Sequence, residues 1–282
     1  MRRDPLIKPY LKWAGGKRQL LPELQKHLPE NFDSLRYFEP FVGAGALFLA
    51  SQPERAVIND CNAELILTYQ AIREHIDELI EALQTHKTNN SEEYYYQIRA
   101  QDRGRESYAQ FPDVQKAARL MYLNKTCYNG LYRVNSQGLF NVPYGRYPNS
   151  AICEEPVLRA IHTYLNHENT EIEILNCDFA AAVKNAGRGA CIYFDPPYHS
   201  ADNTHFTGYQ PGGFGDDEQR RLRDVFIART NVGARCLLSN SDTPFIRELY
   251  SGFEIVSIKA RRAINSDGAG RGEVDEVLIK NW

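Results

Sequence analysis

The sequence contains no apolar run as long as a membrane-spanning helix needs, although hydrophobic residues make up 43% of its 282 positions. Residues 1–5 carry two arginines and none of the apolar stretch of a secretion signal. The six cysteines include no C-x-x-C pair, which disfavours both a disulfide framework and a zinc site. We therefore expect a cytoplasmic protein with reduced thiols in its core, no membrane partner and no metal ion.

Negative charge is missing over one long segment. The net charge of −3 argues against a protein that binds polyanions over its whole surface. Residues 115–150, however, contain no Asp or Glu, and they include the basic residues Lys116, Arg119, Lys125, Arg133 and Arg146. Isolated basic residues usually form a solvated surface, and this interpretation is weaker where acids are absent over so long a run. The segment predicts a local basic surface for a polyanion such as nucleic acid.

The sequence also lacks the G-x-x-x-x-G-K-[ST] phosphate loop, which argues against hydrolysis of nucleoside triphosphates. A different glycine turn, Lys-Trp-Ala-Gly-Gly-Lys-Arg at residues 12–18, opens a predicted helix whose leucines recur on one face. The backbone N–H groups of such a turn and the ammonium group of Lys17 can hold an anion, for example a carboxylate. Trp13, beside the turn, can stack on an adenine ring.

A second glycine turn follows a short predicted strand. The pair Gly43-x-Gly45 lets a ligand approach the backbone closely. A further predicted strand over residues 55–59 leads to Asp60, close to the interval of ~20 residues at which doubly wound nucleotide-binding folds place a carboxylate on the ribose. Phe48 replaces the third glycine of a pyrophosphate-binding turn. The pattern favours an adenosine cofactor without a pyrophosphate, of which S-adenosylmethionine is the obvious member.

An apolar run over residues 190–194 ends abruptly in Asp195-Pro196-Pro197-Tyr198. The run predicts a buried strand of a parallel sheet, and ligands bind beyond the carboxyl ends of such strands. The two prolines remove two backbone donors and fix two φ angles, so their carbonyl groups point in defined directions. A carboxylate, a carbonyl oxygen and an aromatic face suit a flat heterocycle with an exocyclic NH₂ group, although Asp-Pro-Pro also occurs as a plain strand-ending turn.

The α/β alternation stops between residues 63 and 151. One long amphipathic helix is predicted over residues 64–86, and further helices are predicted near residues 94–96 and 114–125. Two Xaa-Gly turns within residues 124–147 predict a β-hairpin. A polar hairpin with aromatic residues is an ordinary structural element. It also suits the reading of nucleic acid, because Arg and Asn pair with base edges and aromatic rings can wedge between base steps.

The alternation returns at residue 171. Strands are predicted over residues 171–175, 190–194 and 234–240, and the runs 253–259 and 274–280 predict an antiparallel pair joined by a loop with Arg261, Arg262 and Arg271. Residues 199–215 are rich in small polar residues and predict a lid. The predicted fold class is α/β, with a doubly wound, seven-stranded, mostly parallel sheet and an antiparallel last strand. Residues 1–62 and 152–282 form the predicted catalytic domain, and residues 63–151 form an inserted helical domain that carries the hairpin.

Four stretches, at residues 12–17, 38–45, 128–147 and 195–198, resemble the DNA adenine N6-methyltransferases of the Dam type, in the same order along the chain. The resemblance covers nearly the whole chain. It implies a class I methyltransferase-like fold, S-adenosylmethionine as methyl donor and double-stranded DNA as partner. It further implies that adenine within GATC is flipped out of the duplex and methylated at N6 by direct in-line transfer.

The motifs and the resemblance together designate the site residues. The catalytic residues are Asp195, Pro196 and Tyr198. The cofactor-binding residues are Trp13, Lys17, Gly43, Gly45, Asp60, Asp178 and Asp195. The DNA-binding residues are Lys12, Asn129, Leu131, Arg133, Asn135, Pro143, Arg146 and Tyr147. Because the hairpin tip at residues 132–137 is less uniform in the family, the chemistry is implied more firmly than the target sequence.

Two other classes of protein share some of these features. A cytosine N4-methyltransferase uses the same logic, but its motif more often begins with Ser, and Asp195 favours adenine. A DNA-binding relative without activity would keep the basic hairpin and lose the cofactor motifs, which are intact here. A role in restriction–modification, in repair marking or in a phage stays open, and so does the oligomeric state, with a monomer among the options.

Overall fold

The computed structural model describes residues 3–13, 17, 20–200, 213–261 and 273–282. The strands are β1 Arg36–Glu39, β2 Arg55–Asn59, β3 Glu171–Leu175, β4 Ala190–Phe194, β5 Arg235–Ser241, β6 Glu254–Arg261 and β7 Glu273–Lys280. The α-helices are α1 Leu21–Lys26, α2 Ala46–Ser51, α3 Ala63–Glu74, α4 Ile76–Asn89, α5 Glu92–Ala100, α6 Arg105–Ala109, α7 Asp113–Thr126, α8 Glu155–Leu165, α9 Phe179–Ala182, α10 Asp216–Asn231 and α11 Pro244–Leu249.

The strands form one seven-stranded sheet in the order β3-β2-β1-β4-β5-β7-β6. Strands β1 to β5 pair in parallel, and β7 runs antiparallel to both of its neighbours. The prediction of a mostly parallel seven-stranded sheet with an antiparallel last strand is confirmed. From β1 the chain proceeds through β2 to β3 on one side, and from β3 it crosses over to β4 on the other side of β1. The carboxyl ends of β1 and β4 therefore adjoin at the point where the strand order reverses, which is the usual crevice for a ligand.

The chain divides into two compact units. The helical unit comprises Met1–Gly16, Gly43–Gln52 and Asn62–Thr170, and the sheet unit comprises Lys17–Val42, Pro53–Cys61 and Glu171–Trp282. Helix α8 belongs to the helical unit, whereas the sequence-based division placed it with the sheet. Compactness does not test which segment binds cofactor or DNA, so the functional division remains a prediction.

One cluster of buried apolar residues in the sheet unit lies on one face of the sheet. Alternate strand positions, including Phe38, Ile192 and Phe194, point to the same side because side chains in a strand alternate between its two faces. They pack with apolar residues of α9, α10 and α11, among them Leu222 and Phe226. Both of these helical side chains are fully buried. This core fixes the strands and therefore the positions of the residues that follow their carboxyl ends.

The single long helix predicted over residues 64–86 is wrong, because α3 ends at Glu74 and α4 begins at Ile76. His75 between them has φ −137° and ψ 46°, outside the helical region. Both helices pack against α7, which is buried along most of its length. The apolar periodicity therefore continues across the break, and periodicity alone cannot show that the chain turns there.

The predictions for the cysteines, the lid and the basic loop have different outcomes. All six thiols are free, but only Cys127, Cys191 and Cys236 are buried, so the expectation of core thiols holds for half of them. Most of the predicted lid and the basic loop residues Arg262 and Arg271 lie outside the described residues. No helix in the described part of the chain is long and apolar enough to span a membrane.

Candidate active site

A row of side chains follows the carboxyl ends of neighbouring parallel strands. Asp178 comes after β3, Asp60 after β2, Phe41 after β1 and Asp195 after β4. Since adjacent strands lie about 4.8 Å apart, these residues are spaced along one edge of the sheet in that order. The structure therefore brings three acids and an aromatic residue to one edge of the sheet. The sequence predicts a site at these strand ends.

Asp195 is held from two sides within the sheet unit. The Lys17 Nζ atom lies 3.0 Å from Asp195 Oδ1, and the side chain of Lys17 is only 7% exposed. The hydroxyl group of Ser239, in β5, donates a hydrogen bond of 2.7 Å to the same oxygen. Asp195 Oδ2 accepts no hydrogen bond from the described residues. One carboxylate oxygen thus anchors the side chain, and the other remains available to a ligand.

The Tyr198 ring lies beside this carboxylate. Its hydroxyl group donates to Glu276 Oε2 at 2.8 Å, and the Lys17 ammonium lies 4.2 Å from the ring centroid. Burial raises the pKa of Tyr198 well above its ordinary value, and the charges of Asp195 and Glu276 raise it further. The hydroxyl therefore stays protonated and keeps the ring fixed through Glu276.

Buried amides hold the turn that contains Pro196 and Pro197. Gln219 donates to the carbonyl group of Pro197 at 2.9 Å, and Asn240 donates to Gln219 at 3.0 Å. Asn240 also accepts from the amide of His199 at 3.0 Å. The carbonyl group of Pro196, in contrast, accepts no hydrogen bond within the described part of the chain. The turn is thus fixed while one of its carbonyl oxygens remains available.

Sequence reasoning missed Ser239, Asn240, Gln219 and Glu276. A signal existed for the first two, because Ser239 and Asn240 are polar residues at the end of an apolar strand, as Asp195 is. Gln219 lies in a highly charged helix and Glu276 in the acidic first half of β7, so nothing local distinguishes them from surface residues.

A cavity of about 340 Å³ lies at the other end of the same edge. Phe41 stacks on Phe179 with ring centroids 5.2 Å apart, and Phe214 meets Phe41 edge-on at 5.7 Å. The cavity is lined by Pro40, Phe41, Asn59, Cys61, Cys177, Asp178, Phe179, Gly213, Phe214, Glu218 and Arg221. A compact aromatic wall with a carboxylate beside it suits a flat ring that carries hydrogen-bond donors.

Asp178 serves as the N-cap of α9, where its Oδ1 atom accepts from the amide of Ala180 at 3.0 Å. Arg221 pairs with the same oxygen and lies over the Phe179 ring, 4.5 Å from its centroid. Burial alone would raise the pKa of Asp178, but the hydrogen bonds from Arg221 and Ala180 outweigh it and lower the pKa. The carboxylate is therefore charged at neutral pH.

Asp60 directly follows Asn59, and its neighbours on both sides line the cavity. The Asn59 amide nitrogen donates to the carbonyl groups of Pro40 and Cys177 at 3.0 Å each, and its oxygen accepts from the amide of Cys177. The ends of β1, β2 and β3 are thereby tied together. Asn59 was also missed, and its role is to hold the strand ends that carry the site.

Trp13, Gly43 and Gly45 lie in the helical unit. Trp13 stacks on Tyr132 with ring centroids 5.2 Å apart. Gly43 and Gly45 have φ of +51° and +68°, and a Cβ atom on them would come within 2.9 Å of Trp13 and 2.6 Å of the Tyr69 hydroxyl. Glycine is needed there both for the backbone and for the space. Contact of these three residues with a cofactor remains a prediction.

Among the predicted DNA-binding residues, Lys12, Asn129 and Tyr147 lie together. The Tyr147 hydroxyl accepts from the amide of Asn129 at 2.8 Å, and the Lys12 ammonium lies 4.8 Å from the Tyr147 ring centroid. Asn124, another missed residue, donates to the carbonyl groups of Lys12 and Gly130. It thereby connects two segments that are far apart in the sequence.

The predicted hairpin is present, although its pairing in the described residues consists of the isolated bridges Val134–Phe140 and Cys127–Tyr144. Arg133 is exposed, and its Nε atom donates to Asn141 Oδ1 at 2.7 Å. Asn135 Oδ1 accepts from two tip amides at 3.0 Å each, so Asn135 shapes the turn itself. Leu131 is half-buried, whereas Pro143 and Arg146 are exposed.

The expectation of a continuous basic surface is wrong for part of residues 115–150. Arg119 and Lys125 are buried, and they pair with Asp102 and Glu154 at 2.8 and 2.9 Å. These two charges neutralise acids inside the helical unit. The acids that pair with these two residues lie outside residues 115–150. Counting the charges within that segment alone therefore overstated the charge of its surface. No cluster of three or more His, Cys, Asp or Glu that could hold a metal ion occurs among the described residues.

Relatives of known class extend over nearly the whole chain. The model of a family described as D12 class N6 adenine-specific DNA methyltransferases matches residues 13–264. The chain is 44% identical to a protein named Type II methyltransferase M1.LlaDCHI of Lactococcus lactis subsp. cremoris, over 98% of this chain and 96% of the relative. It is 38% identical to Type II methyltransferase M.MjaIII of Methanocaldococcus jannaschii, over 98% and 99%. It is 34% identical to the DNA adenine methylase of Escherichia coli (strain K12), over 95% and 93%.

The fold agrees with these matches. The sheet order, with its single antiparallel strand, is that of a class I methyltransferase-like fold. The chain therefore belongs to the D12 class of N6 adenine-specific DNA methyltransferases.

Proposed function

We propose that this adenine-specific DNA methyltransferase takes its methyl group from S-adenosylmethionine and transfers it directly to N6 of an adenine flipped out of double-stranded DNA. The observation that carries the proposal is the row Asp178, Asp60, Phe41 and Asp195 along the carboxyl edge of the sheet. Three strand spacings, about 14 Å, separate its ends. An elongated adenosine derivative laid along this edge would reach from the aromatic cavity to Asp195.

The residues along the edge fit the parts of this cofactor. The cavity of about 340 Å³ suits the adenine ring, and the Asp178 carboxylate can accept from its exocyclic amine. Asp60, at the next strand end, suits the ribose hydroxyls. The cofactor, when bound, supplies an electrophilic methyl group on a sulfonium. Roles for Lys17 at the cofactor carboxylate and for Trp13 near the cofactor are proposed from the resemblance.

Asp195 and Pro196 are proposed to receive the target amine. Adenine N6 is a poor nucleophile, because its lone pair is delocalised into the ring. Asp195 Oδ2 and the Pro196 carbonyl oxygen can accept its two hydrogens, since neither accepts a hydrogen bond from the described residues. Such acceptors favour a pyramidal amine with a directed lone pair. Positioning and electrostatic preorganisation then account for most of the acceleration, with no covalent enzyme intermediate.

Tyr198 is proposed to stack on the extruded base. Base flipping costs a few kcal/mol, which stacking in a pocket helps to offset. The hydrogen bond from the Tyr198 hydroxyl to Glu276 fixes the plane of the ring before the base arrives. The cation next to the ring, Lys17, also neutralises the Asp195 carboxylate in part.

GATC is the target that the resemblance implies, and the hairpin is proposed to read it. Arg133 presents its guanidinium to solvent and can contact guanine O6 and N7, while Tyr147 is proposed as a wedge beside the flipped base. Two of the relatives are named type II methyltransferases, which favours a restriction–modification role. The cytoplasm is the proposed compartment, in keeping with six free thiols.

The test is methylation of a plasmid prepared without adenine methylation, with S-adenosylmethionine labelled in the methyl group. Digestion with nucleases that respond to methylated or unmethylated GATC then shows the target, and analysis of the nucleosides shows N6-methyladenine. Label in adenine together with protection of GATC sites is the expected result. Label in adenine with GATC sites unprotected would reject the target but not the reaction, and absence of label would reject the reaction.

A further inference from the structure

The reading hairpin rests on a row of polar side chains from a separate segment of the helical unit. Arg99 donates to the carbonyl group of Val142 at 3.1 Å, Arg103 to that of Phe140 at 2.6 Å and Arg105 to that of Gln137 at 2.7 Å. These three arginines lie in or beside α5 and α6. Only one strand of the hairpin, residues 137–142, receives these contacts.

Asp102 is the one acid in this row, and it accepts a hydrogen bond from an amide of that strand. Its Oδ2 atom accepts from the amide of Phe140 at 2.9 Å and lies 2.8 Å from Arg119. Asp102 and Arg119 are both buried. Arg119 is further bound to the carbonyl groups of Ile98 and Arg99 at 3.0 Å. The carboxylate is therefore tied to a side chain that cannot move freely.

A cavity borders this part of the hairpin. Residues 137–140, together with Tyr132 and Val134, border a cavity of about 240 Å³, which also reaches Asp102. A cavity removes part of the van der Waals contact around the hairpin, so polar contacts to the backbone contribute more to its position. The hydrogen bond from the Phe140 amide to Asp102, together with that from Arg103 to the Phe140 carbonyl group, holds the strand against this segment.

The position of Phe140 is connected to that of Arg133 through neighbouring backbone and side-chain contacts. Phe140 pairs with Val134, and the amide of Asn141 donates to the carbonyl group of Arg133 at 3.0 Å. The Asn141 side chain in turn accepts from Arg133 Nε at 2.7 Å. A shift of Phe140 would therefore move both the backbone and the guanidinium of Arg133.

We propose that Asp102 is a positioning residue for sequence discrimination, because it anchors the strand that aims Arg133 at its base pair. The inference rests on the proposed reading role of the hairpin. An interaction that reads a base edge depends on the direction of its donors, and a good bidentate contact accounts for a discrimination of roughly 5- to 150-fold. Loss of the anchor should reduce this discrimination more than it reduces methyl transfer on the best target.

The experiment compares two double variants that remove the buried charges together. Asp102→Asn with Arg119→Met keeps an acceptor for the Phe140 amide, whereas Asp102→Leu with Arg119→Met removes it. The readout is the ratio of kcat/KM for the target duplex to kcat/KM for duplexes changed at one guanine pair. We call the variant with Asp102→Asn the asparagine pair and the variant with Asp102→Leu the leucine pair. We expect the asparagine pair to keep most of the discrimination and the leucine pair to lose about 10-fold of it. Equal discrimination in both double variants would overturn the proposal.

Arg133→Ala distinguishes failure of the anchor from failure of the proposed function. If Arg133→Ala relaxes discrimination and the leucine pair does not, only the role of Asp102 is wrong. If Arg133→Ala leaves discrimination intact, the hairpin does not read the base pair through Arg133. The proposed reading role of Arg133 and the proposed anchoring role of Asp102 are then both wrong. Hydrogen exchange on the unmodified protein needs no variant to fold, and strong protection of the Phe140 amide is expected. Exchange at the rate of an exposed amide would also overturn the anchor.

Discussion

At the scale of single residues, the Asp195 carboxylate is the group on which the proposed reaction depends most. Asp195→Asn keeps the size of the side chain but can place a donor where an acceptor is needed, beside the Lys17 ammonium. Loss of one preorganised electrostatic group commonly lowers kcat by about 10²–10³-fold, and we expect a fall of that order here. Single-turnover methyl transfer at saturating cofactor and DNA measures it. An unchanged rate would contradict the role of the carboxylate.

Ser239 allows a finer test of how Asp195 is oriented. Ser239→Ala removes a hydrogen bond to a charged oxygen, which contributes about 1.5–3 kcal/mol, equivalent to roughly 10- to 150-fold in rate if it is all expressed in the transition state. Ser51→Ala is the matched control, since Ser51 is buried and its hydroxyl has no hydrogen-bond partner among the described residues. We expect slower single-turnover transfer for Ser239→Ala only. Equal rates for the two variants would mean that Lys17 orients Asp195 without Ser239.

At the scale of elements, two arginines of the hairpin segment can distinguish recognition of a base pair from electrostatic attraction to DNA. Arg133 is held by Asn141, whereas the exposed Arg146 pairs with Glu92 at 3.1 Å. Arg133→Ala should relax discrimination at one base pair at a cost of about 1–3 kcal/mol. Arg146→Ala should instead weaken binding to all sequences and reduce the slope of log K against log salt by about 0.9. Binding and methylation at several salt concentrations measure both, and the same pattern in both variants would make Arg133 a phosphate contact.

The same scale shows why some elements could be predicted and others could not. Strand β4 is a continuous apolar run that ends in an acid, and both its existence and its end follow from the sequence. The break at His75 does not, because α3 and α4 bury their apolar faces against the same helix. Arg119 could not be recognised as an internal charge either, since its partner Asp102 lies outside the acid-free segment.

At the scale of the whole molecule, a seven-stranded, mostly parallel sheet with acids at its carboxyl edge was predictable, and the side chains that hold those acids were not. Asp60 and Asp195 each follow an apolar run, so local patterns are sufficient to find them, whereas Asp178 was designated through the resemblance. Gln219 and Glu276 act on residues 195–198 from distant parts of the sequence. Such pairings depend on tertiary structure, which a single sequence encodes only through the complete fold.

The stability of the molecule should depend on pH through a half-buried histidine. His86 stacks on Tyr122 with ring centroids 4.9 Å apart and shares a hydrogen bond of 2.8 Å with Tyr94. Burial lowers the pKa of His86 from 6.5 to about 4. Because the unfolded chain takes up this proton at a higher pH than the folded protein, stability is fully present above pH 6.5 and is lost as the pH falls towards 4.

This shift corresponds to a loss on the order of 3 kcal/mol at most. Urea unfolding between pH 7.5 and 4.5 should therefore show a steeper loss of stability for the unmodified protein than for His86→Phe, which keeps a ring against Tyr122 but cannot be protonated. A substitution of the exposed His75 by Gln serves as the control and should follow the unmodified protein. If His86→Phe had the same pH dependence as the unmodified protein, carboxyl groups with lowered pKa, such as those of Glu154 and Asp178, would have to account for the acid sensitivity instead.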